Sequence, residues 1–416
     1  MTIIEKIFSR STGRKVKPDE YIWADIDLVT MRDFGGPNVV QEFKENFLDA
    51  PVFDNKKVVI TFDLHIPPRD EKVARNQQIL RNFAREKGIR LFDVNTGVGQ
   101  HILLENGLVK PWSIIIGTDS HMNLLGAVGA AGFGMGTTDI AGALYNGKLW
   151  FRVPRTIKIV VNGILKFPVT AKDVILYILK NLTTSGALNR AIEFWGEAIK
   201  MMDFSERITM ASMVTEMSGD VGFIEPDETV LEFLRTHNAE DVELISADSD
   251  AEYERIYEFD ITNLRPQIAC PHSPDNVVDV ADIAGRKIDQ VFIGSCTNGR
   301  FEDLKIAARI LDGKKVHRDV RLIIVPATME VATQAEAAGL YKIFLHSGAV
   351  VVNPGCSLCT TGHPGILAPG EVMVSTSNRN FIGKLGKGAE VYLASPATAA
   401  ASAVKGEITS PLDLWQ

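Results

Sequence analysis

Three of the four cysteines in this chain lie in short glycine- or proline-containing segments of its last third. Cys296 lies in GSCTNG, and Cys356 and Cys359 form the C-x-x-C motif of NPGCSLCTTGHPG. Thiolates are ligands for zinc and for iron–sulfur clusters, and turns of this composition let a backbone fold around a metal. We therefore predict one metal site made by these three cysteines.

Two kinds of metal centre fit the three thiols. A structural zinc ion normally has four ligands, and His363 would complete a Cys₃His set. A [4Fe-4S] cluster held by three thiolates leaves one iron without a protein ligand, and that iron can act as a Lewis acid on a substrate hydroxyl. The spacing alone does not separate these interpretations. Cys270, beside an apolar segment, is predicted to be an ordinary packed thiol.

Composition excludes several classes of protein. The 416 residues include 44 basic and 52 acidic side chains, for a net charge of -8, and no block of lysine or arginine stands out. A nucleic-acid-binding surface is therefore not expected. The first residues, MTIIEKIFSR, do not resemble a signal peptide, and no apolar run approaches the ~18–20 residues of a membrane span. We predict a cytoplasmic protein without a membrane segment, with reduced thiols that are free to bind metal.

Alternating strand and helix patterns predict an α/β fold with two or three domains. Apolar and β-branched runs mark the strands, and apolar residues at helical spacing mark the helices. The predicted strands lie near residues 21–29, 57–62, 90–94, 113–117, 156–161 and 290–293, and the predicted helices near residues 3–9, 37–47, 74–87 and 172–181.

Polar segments follow three of the predicted strands in the first part of the chain. They are DLHIPPRD, NTGVGQH and GTDSH. Ligands of α/β proteins bind at the carboxyl ends of buried strands, so we expect functional side chains in these segments.

The glycine-rich segment GAVGAAGFGMG does not match a dinucleotide-binding fingerprint. That fingerprint requires G-x-G-x-x-G between a strand and a helix, whereas here the preceding strand ends in Asp-Ser-His. We predict a closely packed helix of small residues instead. Further along, residues 237–254 are charged and poor in large apolar side chains, which predicts a solvated surface segment.

The segments GSCTNGR, GCSLCTTGH and STSNRNF, with GTDSH upstream, resemble signature segments of the aconitase superfamily. The resemblance is strongest to the large subunits of 3-isopropylmalate dehydratase and homoaconitase, and runs from EKIFSRSTGRKV to ASPATAAASAV. It implies a hydro-lyase with three α/β domains around a central [4Fe-4S] cluster held by Cys296, Cys356 and Cys359. We place these domains at residues 1–155, 156–260 and 261–416.

The resemblance also implies roles for individual side chains. Asp119, Ser120 and His121 match the Asp-Ser-His group near the cluster, and Glu216 matches an acid from the second domain. The STSNRNF segment matches residues that surround the cluster and hold a substrate carboxylate. The implied catalytic residues are Asp63, His65, His101, Asp119, His121 and Glu216, and the implied substrate-binding residues are Ser120, Asn378, Arg379 and Lys384.

A partner subunit is a further implication of the resemblance. In single-chain aconitases the catalytic serine lies in a swivelling domain, which makes those chains longer than 416 residues. We expect the swivelling domain to be absent here and to be supplied by a small subunit of roughly one domain, about 150–200 residues. The expected substrate is a small hydroxy-acid.

Several positions depart from the family pattern. His65 and His101 are each displaced by one position from the usual histidine, so either the backbone shifts locally or the site lacks these imidazoles. C-S-L-C replaces the usual C-G-P-C, and Lys384 stands where arginine is common, which changes how a carboxylate is held. A different malate-type substrate, such as a dimethylmalate, is one alternative. A non-catalytic subunit that binds a cluster or zinc is another.

Overall fold

Strands and helices alternate along the chain in a computed structural model that describes residues 1–239, 241–360 and 363–414. The predicted α/β class is therefore confirmed. The chain divides into two compact units. The first contains Met1–Val94, Gly99–Val161 and Ser185–Phe259, and the second contains Asn95–Val98, Asn162–Thr184 and Asp260–Gln416. The finer division into three domains remains a prediction.

The first unit contains three sheets and most of the helices of the amino-terminal part of the chain. Its strands are β1 (Tyr21–Asp25), β2 (Leu28–Arg32), β3 (Val58–Thr61), β4 (Arg90–Phe92), β5 (Ile114–Gly117), β6 (Ala131–Gly134), β7 (Lys148–Arg152), β8 (Arg155–Asn162), β9 (Arg190–Trp195), β10 (Val221–Ile224) and β11 (Arg255–Asp260). The helices up to residue 236 are α1 (Ile3–Thr12), α2 (Gly36–Phe47), α3 (Glu71–Lys87), α4 (Gly99–Glu105), α5 (Thr137–Asn146), α6 (Ala171–Leu182, in the second unit), α7 (Glu197–Met201), α8 (Phe204–Ser212) and α9 (Glu228–Thr236).

The central sheet of the first unit has the strand order β4-β3-β2-β5-β6, and all of its strands are parallel. The sequences VVIT of β3 and IIIG of β5 are buried throughout, as expected for parallel strands covered on both faces. The neighbouring strands β3, β2 and β5 end at the same edge of the sheet. The polar residues that follow them are therefore brought together.

The two smaller sheets of the first unit have different characters. β1 and β7 form an antiparallel ribbon in which exposed and buried residues alternate, as the two-residue period of a half-buried strand requires. The other sheet has the order β10-β9-β8-β11, with β8, β9 and β10 parallel. Residues 237–239 and 241–254 contain no helix or strand and are mostly exposed, which confirms the predicted surface segment for the residues that are described.

The glycine-rich segment after β5 does not form the predicted helix of small residues. It forms a 3₁₀ turn, Met122–Val128, followed by β6. A Cβ atom at Gly132 would lie 2.1 Å from the carbonyl oxygen of Met122, and one at Gly126 would lie 1.6 Å from that of Gly222. The prediction of close packing was right and the predicted helix was wrong. The glycines allow backbone carbonyl groups from other segments to approach closely, and they do not form a helix surface.

The second unit is built on one seven-stranded sheet with the order β13-β12-β18-β17-β14-β15-β16. The strands from β18 to β16 are parallel, whereas β12 is antiparallel to both of its neighbours. These strands are β12 (Gln267–Ala269), β13 (Val277–Asp279), β14 (Gln290–Ile293), β15 (Arg321–Ile324), β16 (Val350–Val351), β17 (Val372–Ser375) and β18 (Glu390–Ala394). The helices that follow α9 are α10 (Ser295–Asn298), α11 (Phe301–Leu311), α12 (Met329–Ala337), α13 (Leu340–Ser347) and α14 (Pro396–Lys405).

The described helices include none that is long and apolar enough to cross a membrane. The longest, α3, has 17 residues and carries charges along most of its length. Its capping follows the usual rules, since Asp70 accepts a hydrogen bond from the Val73 amide and Gly88 ends the helix in a left-handed conformation.

Candidate functional site

The three predicted metal ligands lie at the carboxyl edge of the sheet of the second unit. Cys296 follows β14, and the segment containing Cys356 and Cys359 follows β16. The STSNRNF segment begins within β17, which is the neighbour of β14. Because parallel strands end at one edge, the sheet order brings these separate segments of sequence to one place.

The thiols of the three cysteines interact with one another. The thiol of Cys356 lies within reach of those of Cys296 and Cys359, and its hydrogen bonds and their burial raise the pKa of both thiols well above the usual value. Closely packed buried thiols resist ionisation in this way until a cation compensates the charge of the thiolates. The arrangement therefore fits a metal centre better than it fits three unrelated free cysteines.

Backbone conformations beside the cysteines are unusual. Ser295 has φ 83° and Ser357 has φ 48°, both in the left-handed region that side chains rarely adopt. Gly294 comes close to neighbouring backbone, since a Cβ atom there would lie 2.7 Å from the carbonyl oxygen of Val325. Non-glycine residues in this region concentrate at functional sites, where the surrounding structure maintains the strain.

Asn378 connects the STSNRNF segment to the cysteines. Its side chain is 2% exposed, and its Nδ2 donates a hydrogen bond to the Sγ of Cys296 at 3.4 Å. Its Oδ1 has no hydrogen-bond partner among the described residues. A buried acceptor of this kind is usually satisfied, so this oxygen is suited to a ligand.

Lys172 donates hydrogen bonds to the backbone of the STSNRNF segment. This fully buried lysine of α6 donates from Nζ to the carbonyl oxygens of Thr376 and Ser377, at 3.0 and 2.9 Å. Those carbonyls immediately precede Asn378. Lys172 is not among the residues predicted from the sequence, because nothing in a helical pattern distinguishes a lysine that points into the protein from one that points into solvent.

A second group of polar side chains lies at the carboxyl edge of the central sheet of the first unit. Arg32, the last residue of β2, pairs through Nε with Asp63 Oδ1 at 2.8 Å and through Nη1 with Asp119 Oδ2. All three side chains are buried. One guanidinium therefore pairs with two carboxylates, which is the geometry that its planar set of donors favours.

Asp33 fixes the backbone beside this group. Its carboxylate accepts hydrogen bonds from the backbone amides of Asp63, Leu64 and His65, at 3.3, 3.1 and 3.1 Å. The turn after β3 is thus held by the residue that follows β2. Neither Arg32 nor Asp33 was predicted, although Arg32 ends a buried strand and Asp33 directly follows it, as the other candidates follow theirs.

His121 lies beside two carboxylates. Its Nε2 is 2.9 Å from Glu216 Oε1, and its Nδ1 is 3.6 Å from Asp119 Oδ1. Glu216 belongs to a 3₁₀ turn, Met213–Met217, that directly follows α8, and it is buried. A histidine in hydrogen-bond contact with a buried carboxylate can accept a proton at one nitrogen and release it to the other group.

A small polar cavity of about 10 Å³ lies among the same strand ends, large enough for about one water molecule. Arg32, Asp63, Asp119 and Gln100 contribute to its lining. Gln100 is 2% exposed, and neither its Oε1 nor its Nε2 has a hydrogen-bond partner among the described residues. Gln100, rather than its neighbour His101, thus faces the charged group.

These arrangements can be compared with known protein families. The Aconitase family model (aconitate hydratase) matches residues 5–406 of this chain. The chain belongs to the aconitase family. It is accordingly a hydro-lyase of that family, as the motifs predicted.

Curated relatives match this aconitase-family chain along almost its full length. It is 45% identical to the 3-isopropylmalate dehydratase large subunit 1 of Archaeoglobus fulgidus, over 99% of this chain and 98% of the relative. It is 46% identical to the probable 3-isopropylmalate dehydratase large subunit of Methanothermobacter thermautotrophicus, over 99% of both chains. It is 42% identical to the probable methanogen homoaconitase large subunit of the same organism, over 99% of this chain and 97% of the relative.

The structure places the site residues that the aconitase resemblance implied in two sets. Within the first unit it brings Asp63, Asp119, His121 and Glu216 into one chain of contacts through Arg32. Ser120 is exposed and lines a separate groove of about 590 Å³. His65 and His101 are buried near the strand ends of the central sheet. Among the described residues that line the small polar cavity, neither histidine is present.

The other implied residues lie in the second unit. Asn378 contacts Cys296, and Lys384 is close enough to Cys359 for its charge to oppose the rise of that thiol's pKa. Arg379 is partly exposed. No three His, Cys, Asp or Glu side chains in residues 1–239, 241–360 and 363–414 are arranged to hold a single metal ion.

The left-handed conformation of Ser357 leads to a stability prediction. Replacement by glycine relieves the backbone strain, whereas replacement by alanine does not, and both lose the hydroxyl that contacts His363. We expect Ser357→Gly to be more stable than Ser357→Ala by about 1 kcal/mol in urea unfolding of the metal-free protein. Equal stability of the two variants would contradict the assigned conformation.

Asp220 leads to a prediction about pH. It lines the same groove as Ser120, and its carboxylate makes no hydrogen bond or ion pair with a described residue. Burial raises its pKa from 3.8 to about 6, so the folded protein holds this proton more tightly than the unfolded chain does. The stability that this proton gives is present at low pH and is lost as the pH rises through the range from 3.8 to about 6.

We therefore expect Asp220→Asn to stabilise the protein at pH 7 by on the order of 1–3 kcal/mol and to have little effect near pH 4. Urea unfolding across this pH range checks the prediction. The exposed Asp49 provides a matched control, since Asp49→Asn is expected to change stability little at either pH. An equal effect of Asp220→Asn at both pH values would show that the carboxylate is not the cause.

Proposed function

We propose that this chain is the large subunit of an iron–sulfur hydro-lyase that dehydrates and rehydrates a hydroxy-acid through an alkene intermediate. The proposed substrate is 3-isopropylmalate, a homoaconitate or a related malate-type acid. One observation carries the proposal: identities of 42–46% with the large subunits of these enzymes extend over 99% of the chain. The close approach of the three thiols supports it.

In this proposal a [4Fe-4S] cluster is held by Cys296, Cys356 and Cys359. The bound cluster would supply an iron that lacks a protein ligand and acts as a Lewis acid on the substrate hydroxyl. The donor set supports this, since three soft thiol ligands converge and Asn378 directs an N–H to one sulfur. Hydrogen bonds of that kind stabilise a thiolate ligand and orient it.

Proton transfer is assigned to the polar group of the first unit. Removing water from a hydroxy-acid requires an acid that protonates the departing hydroxyl, because hydroxide is a poor leaving group. His121 Nε2 and Glu216 Oε1 lie within hydrogen-bond distance at 2.9 Å, and Asp119 adjoins the same imidazole. We assign the acid role to His121 and Glu216. Asp63, His65 and His101 are proposed as further catalytic residues.

Substrate carboxylates are assigned to the residues that follow β17 and to Ser120. Arg379 offers a planar pair of donors that matches a carboxylate, and Asn378 offers its buried amide. Lys384 supplies a more compact charge than the arginine common in the family, which favours a second carboxylate that is held differently. A dimethylmalate or another malate-type acid is therefore the second candidate substrate.

We propose a three-domain large subunit and a small subunit that carries the swivelling domain and the catalytic serine. The relatives' names support a partner, since each is called a large subunit. The reaction needs a base on the substrate, and a second polypeptide would provide it. The small subunit is expected to be about the size of one domain.

The test is anaerobic purification with iron and sulfide analysis, followed by hydration assays with the small subunit present. A panel of alkene di- and tricarboxylic acids should include those derived from isopropylmalate, homocitrate and dimethylmalate. We expect iron and sulfide in equal amounts and turnover of at least one of these acids. Stoichiometric zinc without sulfide would contradict the cluster, and normal turnover of the isopropylmalate alkene alone would exclude the divergent substrate.

A further inference from the structure

A cavity of about 480 Å³ opens at the carboxyl ends of β9 and β10. It lies within the first unit, and none of the residues proposed for the hydro-lyase reaction lines it. Small-molecule sites in parallel α/β sheets favour this position, and the volume lies in their usual range. The cavity is lined by Phe194, Trp195, Gly196, Ile199, Lys200, Arg207, Ile224, Glu225, Pro226, Asp227, Glu228 and Leu244.

Two opposite charges of the lining have no partner among the described residues. Lys200 is exposed and Glu225 is partly buried, and with the described residues neither the Nζ of Lys200 nor the carboxylate of Glu225 makes a hydrogen bond or ion pair. Burial raises the pKa of the Glu225 carboxyl, and the charge of Lys200 opposes that rise. Both groups line the same cavity without contacting each other, so one ligand in the cavity can meet both.

Arg207 is a second sign of a ligand. Its side chain is only 1% exposed, its Nε donates to the carbonyl oxygen of Met202 at 3.1 Å, and its Nη2 pairs with Asp227 at 2.6 Å. Its Nη1 is buried and has no hydrogen-bond partner among the described residues. A buried guanidinium N–H without an acceptor is costly, and a bound anion would satisfy it.

The rest of the lining is largely apolar. Phe194, Ile199, Ile224 and Pro226 are buried, and Leu244 is an exposed apolar side chain at the rim. Such walls favour an aliphatic group over water. The cavity therefore offers a cation, an anion and an apolar surface to one ligand.

We propose that this cavity binds an α-amino acid with an aliphatic side chain. The ligand's carboxylate is held by Lys200 and Arg207, its ammonium by Glu225, and its side chain by the apolar walls. A zwitterion satisfies both unpartnered charges at once, whereas a simple anion or cation satisfies only one of them. This site is independent of the proposed hydro-lyase function, and the test below does not use that reaction.

Titration calorimetry with leucine on the full chain tests the proposal. We expect binding by the unaltered chain, and at least about tenfold weaker binding by Lys200→Met and by Glu225→Gln, because each loses one charge-assisted contact. Exposed residues elsewhere in the unit provide matched controls. Lys72→Met and Glu232→Gln should bind leucine as the unaltered chain does.

Three analogues separate the contributions of the ligand's groups. We expect 4-methylvalerate, which lacks the ammonium, 3-methylbutylamine, which lacks the carboxylate, and glycine, which lacks the aliphatic side chain, each to bind at least about tenfold more weakly than leucine. The proposal is overturned if leucine does not bind at about 10 mM, which corresponds to a very weak interaction. It is also overturned if both cavity variants bind leucine normally, or if glycine or 4-methylvalerate matches leucine. Unfolding curves of the ligand-free variants establish that they remain folded.

Discussion

Cys356→Ser is expected to abolish the iron–sulfur cluster and turnover. Cys356 is the thiol that interacts with both of the others, so its loss breaks the central member of the set. Changes to residues that merely support metal ligands already cost about 10–100-fold in affinity, and loss of a ligand is expected to cost more. Iron and sulfide content after anaerobic reconstitution measures the effect, and turnover with the small subunit measures its consequence.

Cys270→Ser is the matched control for this experiment. Cys270 is a free, partly buried cysteine that no contact joins to the three-thiol set in the described structure, and burial raises the pKa of its thiol. We expect its replacement to leave iron content and turnover unchanged. Retention of the cluster in Cys356→Ser, or its loss in Cys270→Ser, would contradict the assigned ligand set.

Arg32→Met is expected to destabilise the protein by about 3–5 kcal/mol. The guanidinium is the cation that the structure shows for two buried carboxylates, those of Asp63 and Asp119, and methionine leaves both charges in a medium of low polarity. Urea unfolding of the metal-free protein measures the change. Arg32→Met combined with Asp119→Asn should recover part of the loss, because one of the two charges is then absent.

Arg81→Met provides the comparison for this change. Arg81 pairs with Asp93 in the same unit, with side chains 28% and 36% exposed, so water compensates much of the loss. We expect a cost of about 1 kcal/mol or less. If the two arginine variants were equally destabilised, the burial of the Arg32 group would not be the reason for its importance.

The prediction from sequence was most successful where local patterns decide the structure. β14 was predicted at residues 290–293 and is found at Gln290–Ile293, and the predicted helix at residues 172–181 is found at Ala171–Leu182. It failed for GAVGAAGFGMG, since the small residues there serve contacts with backbone that is distant in sequence. Element type in such a segment depends on those partners rather than on its own composition.

Among the candidate site residues, the family motifs identified those with distinctive residue types, such as cysteine and the Asp-Ser-His group. They did not identify Arg32, Asp33, Gln100 or Lys172, whose types are common at the surface of any protein. The partners of Arg32 illustrate the reason, since Asp119 is 87 positions away in sequence. Only the order of neighbouring strands makes such residues meet.

By itself, the sequence determined the α/β class, the family and the three cysteines, because β-branched runs, turn residues and rare residue types act locally. The tertiary structure decided which charged and polar groups pair. Arg32 pairs with two carboxylates, and His121 pairs with Glu216, 95 positions away. It also decided that Gln100 faces the small polar cavity and that Lys172 is buried. The physical reason is that burial and pairing depend on which strand ends share an edge, and the sheet order is set by the packing of the whole unit.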